Sequence, residues 1–163
     1  MAPMLFFKLL FATSFYIKTT RATSCYYPSG DLSPTDFPCS SSGESVCCGQ
    51  GFICLSNGLC QNPSLPADSP GIYSRGSCTD KSWASPKCPN FCVNNNAPFH
   101  DLITGGQQVL KCPNTDADDY YCNDAAVADA NCTTGDNIVK FNGKSSHRPS
   151  RPVLTTLQEN QPQ

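Results

Sequence analysis

Five of the twelve cysteines in the chain lie within residues 39–60, which read C-S-S-S-G-E-S-V-C-C-G-Q-G-F-I-C-L-S-N-G-L-C. Adjacent cysteines rarely bond to each other, because the eight-membered ring strains the peptide between them. We therefore expect Cys47 and Cys48 to point apart and to tie different layers of the fold. Turn sequences on either side of residues 52–55 predict a short strand there. The stretch as a whole predicts a small β structure held by disulfides.

The twelve cysteines form two groups of six, separated by residues 61–71, a segment with three prolines and no apolar period. Such a composition favours an extended, hydrated connector. An even number of cysteines on each side lets each group close its own bridges, so we predict six-cysteine modules at residues 23–60 and 72–139. The expected disulfide cysteines are Cys25, Cys39, Cys47, Cys48, Cys54 and Cys60 in the first group, and Cys78, Cys88, Cys92, Cys112, Cys122 and Cys132 in the second.

Aliphatic residues and phenylalanine are scarce for a chain of 163 residues. Leu, Ile, Val and Phe make up about 16% of residues 23–163, below the roughly 20% needed for burial of apolar surface to offset the entropy of ordering. A large enzyme fold is therefore not expected, and no run of 18 apolar residues predicts a membrane-spanning helix. The predicted fold class is small and disulfide-rich, with two irregular or short-stranded β modules and little helix apart from the N-terminal leader. A further short helix is predicted at residues 124–130, behind an Asp cap.

The N-terminal segment has the features of a secretory signal peptide. Its apolar stretch, residues 5–17, is 13 residues long, which matches a signal-peptide core and is too short to span a bilayer. Thr20 and Ala22 place small residues at the −3 and −1 positions of a cleavage site, so we predict a signal peptide at residues 1–22. Twelve cysteines in a short chain are typical of an oxidising compartment. The predicted location is secreted or extracellular, with association with the cell wall as an option.

Charge is unevenly distributed along the chain. Residues 23–139 carry four basic and twelve acidic side chains, a net charge of −8, whereas residues 140–163 have a net charge of +3. An acidic body repels phosphate backbones, so nucleic acid is not an expected partner. Residues 140–163 are predicted to form a disordered basic tail. The sequon Asn131-Cys132-Thr133 makes Asn131 a predicted glycosylation site.

Few residues suit catalysis or metal binding. His100 and Asp101 are the one candidate acid–base pair, and neighbours in sequence usually point in different directions. Five nearby carboxylates suggest calcium, but the alternating acids, central glycine and closing glutamate of a calcium loop are missing. We therefore expect no catalytic residues, no metal and no cofactor. The five carboxylates, predicted to form a solvated acidic loop, are Asp116, Asp118, Asp119, Asp124 and Asp129.

Three aromatic residues are expected in the core, with anchoring of a partner as the alternative. They are Trp83, Tyr120 and Tyr121.

The cysteine order of the first group, with one adjacent pair between two earlier and two later cysteines, resembles that of cystine-knot miniproteins. Six cysteines allow 15 pairings, and the resemblance favours one of them. The bridges that it implies are Cys25–Cys48, Cys39–Cys54 and Cys47–Cys60.

The second half of this group, C-C-x5-C-x5-C, resembles the hevein-type chitin-binding module. In that family, aromatic side chains stack on N-acetylglucosamine rings. Here Phe52 is the aromatic residue of the matching stretch, and it is out of register. Carbohydrate binding with Tyr26, Tyr27 and Phe52 as stacking faces is therefore an alternative, not the leading hypothesis.

Four motifs together are similar to a family of ascomycete cysteine-rich extracellular proteins. They are C-Y-Y-P at residues 25–28, C-C-G at 47–49, R-G-S-C-T-D at 75–80 and S-P-K-C-P-N-F-C at 85–92. Many members continue into a Ser/Thr-rich stalk, a membrane-spanning helix and a cytoplasmic tail, as in cell-wall sensor proteins. No enzymatic activity is established for the family. The chain lacks the family's paired cysteines at the end of the domain, and the stalk and helix are not present in this sequence.

These observations lead to a secreted, non-enzymatic protein of fungal cell-wall or extracellular recognition type. The expected partner is an extracellular protein or a cell-wall polysaccharide, with no membrane span in this chain. Three alternatives remain open. One is a carbohydrate (chitin or glucan) binding module, and another is a hydrolase inhibitor or effector-like protein that acts through an exposed loop at residues 32–37. The third is the ectodomain of a truncated membrane sensor.

Overall fold

The structure, a computed structural model, describes residues 23–141. In this range the chain forms eleven strands of two to five residues and one 3₁₀ helix. The strands are β1 (Cys25–Tyr26), β2 (Leu32–Ser33), β3 (Asp36–Pro38), β4 (Val46–Gly49), β5 (Ile53–Cys54), β6 (Cys60–Gln61), β7 (Tyr73–Arg75), β8 (Ser77–Cys78), β9 (Gln107–Lys111), β10 (Asp119–Cys122) and β11 (Val139–Lys140), with the 3₁₀ helix at Ala125–Asp129. The predicted small, disulfide-rich β fold is confirmed. The predicted signal peptide, residues 1–22, lies outside the described residues.

The strands form two antiparallel sheets. The first has the order β2-β1-β8-β4-β3, and the second has the order β11-β10-β9-β7-β6-β5. Each sheet contains strands from both six-cysteine segments, because β8 lies in the middle of the first sheet and β5 and β6 lie at one edge of the second. Strand pairing therefore joins the two segments that the cysteine spacing separates.

Residues 61–71, expected to be an extended connector, begin at the end of β6 and lead to the neighbouring strand β7. Gln61 of β6 is paired with Tyr73 of β7, and the backbone N–H of Asn62 donates to the carbonyl oxygen of Ile72 at 2.8 Å. The segment is thus the closed loop between two paired strands of the second sheet. Ile72 is buried at the base of this loop.

The first sheet is strongly curved. Its opposite edges are β2 and β3, yet only Pro34 and Thr35 separate these strands in the chain. Three Cα–Cα steps span at most about 11 Å, whereas the edges of a flat five-stranded sheet lie about 19 Å apart. The two edges must therefore approach each other.

Gly76 is the point at which the chain crosses from the second sheet, after β7, to the first, at β8. A Cβ atom on this residue would overlap the carbonyl oxygen of Cys47 and would lie 2.9 Å from the Sγ atom of Cys60. Because both of these atoms are held in disulfide-bonded strands, only a residue without a side chain fits where the sheets meet.

All twelve cysteines are joined in six disulfides, and each bridge stays within its own group of six. The bridges are Cys25–Cys47, Cys39–Cys54, Cys48–Cys60, Cys78–Cys88, Cys92–Cys122 and Cys112–Cys132.

The knot pairing implied by resemblance is wrong at two of its three bridges. Cys25 bonds to Cys47 instead of Cys48, and Cys60 bonds to Cys48 instead of Cys47. The physical reason is the alternation of side chains along β4, which sends two consecutive residues to opposite faces. Spacing along the chain does not reveal which of these two cysteines points toward the first sheet and which toward the second. The expectation that the adjacent pair points apart is confirmed.

Sulfur replaces much of the aliphatic core. Among the described residues, nine of the sixteen buried hydrophobic side chains are cysteines. One cluster packs Leu55, Leu59, Val109 and Tyr120 around Cys92, and another surrounds the Cys48–Cys60 bridge. The scarcity of aliphatic residues is thus offset by buried disulfides.

Several local predictions are confirmed. Turns lie on both sides of β5, and Gly51 and Gly58 adopt the left-handed backbone that these turns require. The predicted short helix is a 3₁₀ helix, and the Asp124 carboxylate caps it by accepting the backbone N–H of Ala126 at 2.8 Å. Among residues 23–141, the helical segment falls short of the length and hydropathy that a bilayer crossing requires.

The structured part extends into the segment expected to be a tail. Lys140 is paired with Asp119 in the second sheet, and Phe141 makes edge-to-face contacts with Phe91 and Tyr120. Residues 142–163 lie outside the described residues.

Candidate functional site

The one candidate acid–base pair is separated by the fold. His100 is exposed, whereas Asp101 is 6% exposed. The Asp101 carboxylate accepts the backbone N–H of Asn94 at 2.7 Å. The two side chains thus lie in different environments, and Asp101 lines a cavity described below.

The substitute aromatic faces proposed for sugar stacking occupy different surroundings. Lys81 lies 5.6 Å from the centre of the Tyr26 ring, and the Tyr27 hydroxyl accepts a hydrogen bond from Ser33. Phe52 packs against the cluster around the Cys48–Cys60 bridge. Among the described residues, the ring–ring contacts are made by other aromatic residues.

The expected aromatic core is present in part. Tyr120 is buried and contacts Tyr73 edge to face. Tyr121 and Trp83 are half-buried. The Cζ atom of the Arg75 guanidinium lies 5.5 Å from the centre of the Trp83 ring. The indole N–H of Trp83 donates to the backbone oxygen of Tyr26 at 3.0 Å. Trp83 therefore fastens the loop after β8 to β1.

The acidic segment does not gather its carboxylates at one point. Among the described residues, two groups have three metal-ligating atoms within 4.8 Å of one another, and these groups consist of disulfide cysteines and Asp101. Asp116, Asp118, Asp119 and Asp124 are in neither group. The side chain of Asp129 lies outside the described part of the chain.

The R-G-S-C-T-D motif at residues 75–80 holds the fold together. The Ser77 hydroxyl donates to the Asp36 carboxylate at 2.5 Å. The Thr79 hydroxyl accepts the backbone N–H of Ser45 at 2.9 Å. The Asp80 carboxylate accepts two backbone N–H groups of the following turn, and the hydrogen bonds from this turn lower its pKa. These motif residues have structural roles in this chain.

Arg75 is fully buried at the side of the second sheet. Its guanidinium donates to the backbone oxygens of Gly76, Leu102 and Gly105 at 3.1, 2.5 and 2.9 Å. Burial lowers its pKa to about 10, and the charge of Asp101 acts in the opposite direction. Arg75 therefore remains charged at neutral pH and holds the loop before β9 in place.

A cavity of about 330 Å³ lies beside this loop and is lined by loop residues, β10 and the segment leading to β11. We call it the carboxylate cavity. Apolar side chains form much of its wall, and the carboxyl groups of Asp101 and Asp124 both line it. The apolar lining includes Phe91, Val93, Phe99, Tyr121, Ile138 and Val139.

Asp101 and Asp124 form a carboxyl pair in which Asp101 is buried and Asp124 is half-buried. Burial of Asp101, a hydrogen bond between the two carboxyl groups and the charge of Asp124 together raise the pKa of Asp101 to about 6. The N–H of Asn94 and the charge of Arg75 act in the opposite direction. When both carboxyl groups are ionised, Asp101 Oδ1 is buried without a hydrogen-bond partner. A buried carboxylate oxygen without a donor is unfavourable, so this atom favours a proton or a cation.

A second cavity, of about 400 Å³, lies where the turn after β5 meets residues 86–91. We call it the amide cavity. Ser45 Oγ and Asn57 Nδ2 are buried beside it without hydrogen-bond partners. Lys87 and the Phe91 ring also line this cavity. It therefore combines an aromatic surface with polar groups that have unused hydrogen-bonding capacity.

No family model matches the chain, and neither the curated proteins nor the solved structures contain a significant match to it. The fold and the two cavities are therefore interpreted from their own geometry.

Sequence reasoning missed both cavities. The sequence indicates Asp101 only as a partner of His100, and Asp124 only as a helix cap and a member of the acidic segment. The two aspartates are 23 positions apart, and no short motif connects them. Ser45 and Asn57 lie in turns whose composition indicates only local structure. A spatial site of this kind requires the strand pairing to be known.

Proposed function

We propose that the protein is a secreted, non-enzymatic recognition protein of fungal cell-wall or extracellular type. The observation that carries the proposal is the joining of all twelve cysteines in disulfides, because such bonds persist in oxidising compartments and are rare in the cytosol. The acidic body and the short strands are in keeping with a small binding protein. The sequence motifs shared with ascomycete extracellular proteins support the same proposal.

Secretion and pairing are tested together by peptide mapping of the natural product under non-reducing conditions. The expected result is a chain beginning near Thr23, recovered from the medium or the cell wall, without free thiols. Recovery of a reduced chain from the soluble intracellular fraction would contradict the proposal.

Carbohydrate binding at the amide cavity is the second candidate function. Sugar rings present apolar faces and many hydroxyl groups, so a suitable site offers an aromatic surface beside hydrogen-bonding groups. The Phe91 ring, Ser45 Oγ and Asn57 Nδ2 provide these groups. The faces proposed from the hevein resemblance, Tyr26, Tyr27 and Phe52, do not line this cavity. The candidate ligands are short β-glucan and chitin oligosaccharides.

The decisive variant is Ser45→Ala, which removes a hydroxyl that has no partner in the fold. The backbone hydrogen bonds of Ser45 to Thr79 remain, so the variant is expected to fold normally. Ser42→Ala, at an exposed turn position, is the matched control. Binding to insoluble chitin or β-glucan should weaken at least severalfold in Ser45→Ala only. Equal retention of wild type, variant and control would exclude the amide cavity as the sugar site, and no retention of wild type would exclude this function.

A further inference from the structure

We propose that the carboxylate cavity binds a small organic cation, a primary amine with a compact apolar body, through Asp101 and Asp124. This site goes beyond the recognition function proposed above and does not depend on it. An unpartnered buried oxygen, the local charge and the apolar wall of the cavity support this assignment.

The first step concerns Asp101 Oδ1. Asp101 is 6% exposed, and its other carboxylate oxygen, Oδ2, accepts the N–H of Asn94 at 2.7 Å. When both carboxyl groups are ionised, Oδ1 has no hydrogen-bond partner, although the side chain lines the cavity. An ammonium group entering the cavity would supply the missing donor, with a charge-assisted hydrogen bond.

The second step concerns the balance of buried charge. The Asp101 carboxylate interacts with Asp124 and with the guanidinium of Arg75, and Arg75 also interacts with Asp36. The two carboxylates that line the cavity and this guanidinium carry one net negative charge. A monovalent cation neutralises the group, and so does a proton held on Asp101. Arg75 does not line the cavity. Its Nη1 and Nη2 groups donate to the carbonyl oxygens of Gly76, Leu102 and Gly105, and its buried Nε–H has no hydrogen-bond partner.

The third step concerns the kind of cation. The remaining wall is largely apolar, with aromatic and aliphatic side chains from the loop, β10 and the segment before β11. The two sulfur atoms near Asp101 belong to the Cys92–Cys122 disulfide, and disulfide sulfur is a poor metal ligand compared with thiolate. A metal ion that prefers sulfur would thus find no thiolate here, whereas an alkyl or aryl amine would bury its carbon skeleton against the apolar wall. A volume of about 330 Å³ admits a ligand of roughly ten non-hydrogen atoms.

Amine binding is coupled to proton release. The ammonium group and the shared proton compete for the same carboxylate oxygens, so the bound amine displaces the proton from Asp101. The other groups that bear on Asp101 are Asp124, which follows β10, Arg75 of β7 and the N–H of Asn94, and the phenol of Tyr121 lines the same cavity. Affinity should increase as the pH rises through 6.

The test uses the mature, disulfide-bonded protein labelled with ¹³C and ¹⁵N, titrated with 2-phenylethylamine at pH 7.5 and pH 5.0. The neutral 2-phenylethanol is the matched ligand control. We expect amide shifts near residues 91–94 and 121–126, and an affinity for the amine at least tenfold above that for the alcohol. A proton-linked group with a pKa of about 6 weakens amine binding about tenfold at pH 5.0. Equal affinities for amine and alcohol, or shifts confined to other regions, would overturn the proposal.

The variant Asp124→Asn separates charge from structure. Asparagine caps helices about as well as aspartate, so the cap on the 3₁₀ helix is kept while one negative charge is removed. The amine affinity should fall at least tenfold. Asp116→Asn, an exposed site outside the cavity, should leave it unchanged. The wild type provides a second test. Bound amine should lower the pKa of Asp101, as measured by a ¹³C-carboxyl titration. An unchanged pKa at saturating amine would refute the mechanism.

Discussion

Cys47 and Cys48 are consecutive residues of β4, and their disulfides run in different directions. Cys47 bonds to Cys25 within the first sheet, whereas Cys48 bonds to Cys60 in the second. Together with the Cys39–Cys54 bridge, which joins the end of β3 to β5, the Cys48–Cys60 bond fastens one sheet to the other. One strand thus secures both the inside of a sheet and the junction between sheets.

The pairing can be tested with double variants that remove two sulfurs at a time. Cys25→Ser with Cys47→Ser deletes one whole bridge, so the protein should contain no free thiol and should lose about 2–4 kcal/mol of unfolding free energy. Cys25→Ser with Cys48→Ser follows the knot pairing, and it should leave Cys47 and Cys60 without partners. Thiol titration under denaturing conditions distinguishes the two variants. Two thiols in the first variant and none in the second would restore the knot pairing.

Gly76 is predicted to be intolerant of any side chain. Gly76→Ala would force its methyl group into the Cys47 carbonyl oxygen and against Cys60 Sγ, and the disulfides prevent either strand from moving away. We expect a loss of about 3 kcal/mol or more, measured by urea unfolding with the disulfides intact.

Gly43→Ala is the matched control for this prediction. Gly43 has a left-handed backbone, but nothing lies within 4 Å of its Cβ position. Its replacement should cost about 1 kcal/mol from backbone strain alone. Equal losses in the two variants would mean that the close approach at Gly76 does not limit the fold.

The sequence was sufficient to predict the fold class but not its topology. The grouping of cysteines, the turns around β5 and the Asp124 cap all depend on local composition, and each agrees with the structure. The register of β4 and the mixing of strands between the two segments depend on contacts between distant residues. Strands of two to five residues carry too little hydrophobic periodicity to specify their partners. The same limit hid the proximity of Asp101 to Asp124.

The raised pKa of Asp101 predicts that stability falls as pH increases. The folded state holds the proton up to a pKa of about 6, whereas the unfolded chain releases it near 3.8. Between these values Asp101 binds more protons in the folded protein, so the contribution of this group to the free energy of unfolding declines from about pH 4 to pH 6 and then levels off. The contribution of Asp101 should be about 1–2 kcal/mol after allowance for solvent screening.

Comparison of wild type with Asp101→Asn isolates this contribution, because other carboxylates titrate equally in both proteins. The difference between their unfolding free energies should change across pH 4 to 6 and stay constant from pH 6.5 to 8. The lowered pKa of Asp80 acts with the opposite sign, since its contribution is lost only as pH falls below the ordinary value of 3.8. A pH-independent difference between the two proteins would show that Asp101 ionises normally in the fold.

Asn131 is predicted to carry an N-linked glycan when the protein passes through a secretory pathway. Its side chain is exposed, and its Oδ1 accepts the backbone N–H groups of Thr133 and Thr134 at 2.9 and 3.1 Å. This turn presents the sequon at the surface, although the intervening Cys132 is bonded to Cys112. Enzymatic removal of N-glycans should lower the mass of the secreted wild type and leave the mass of Asn131→Gln unchanged.

The double variant Cys112→Ser with Cys132→Ser removes the bridge and keeps a sequon, which then reads Asn-Ser-Thr. Greater glycan occupancy in this variant would indicate that disulfide formation competes with glycosylation. Masses of wild type and Asn131→Gln that differ before treatment only by the one methylene group of the substitution would show that the sequon is unused.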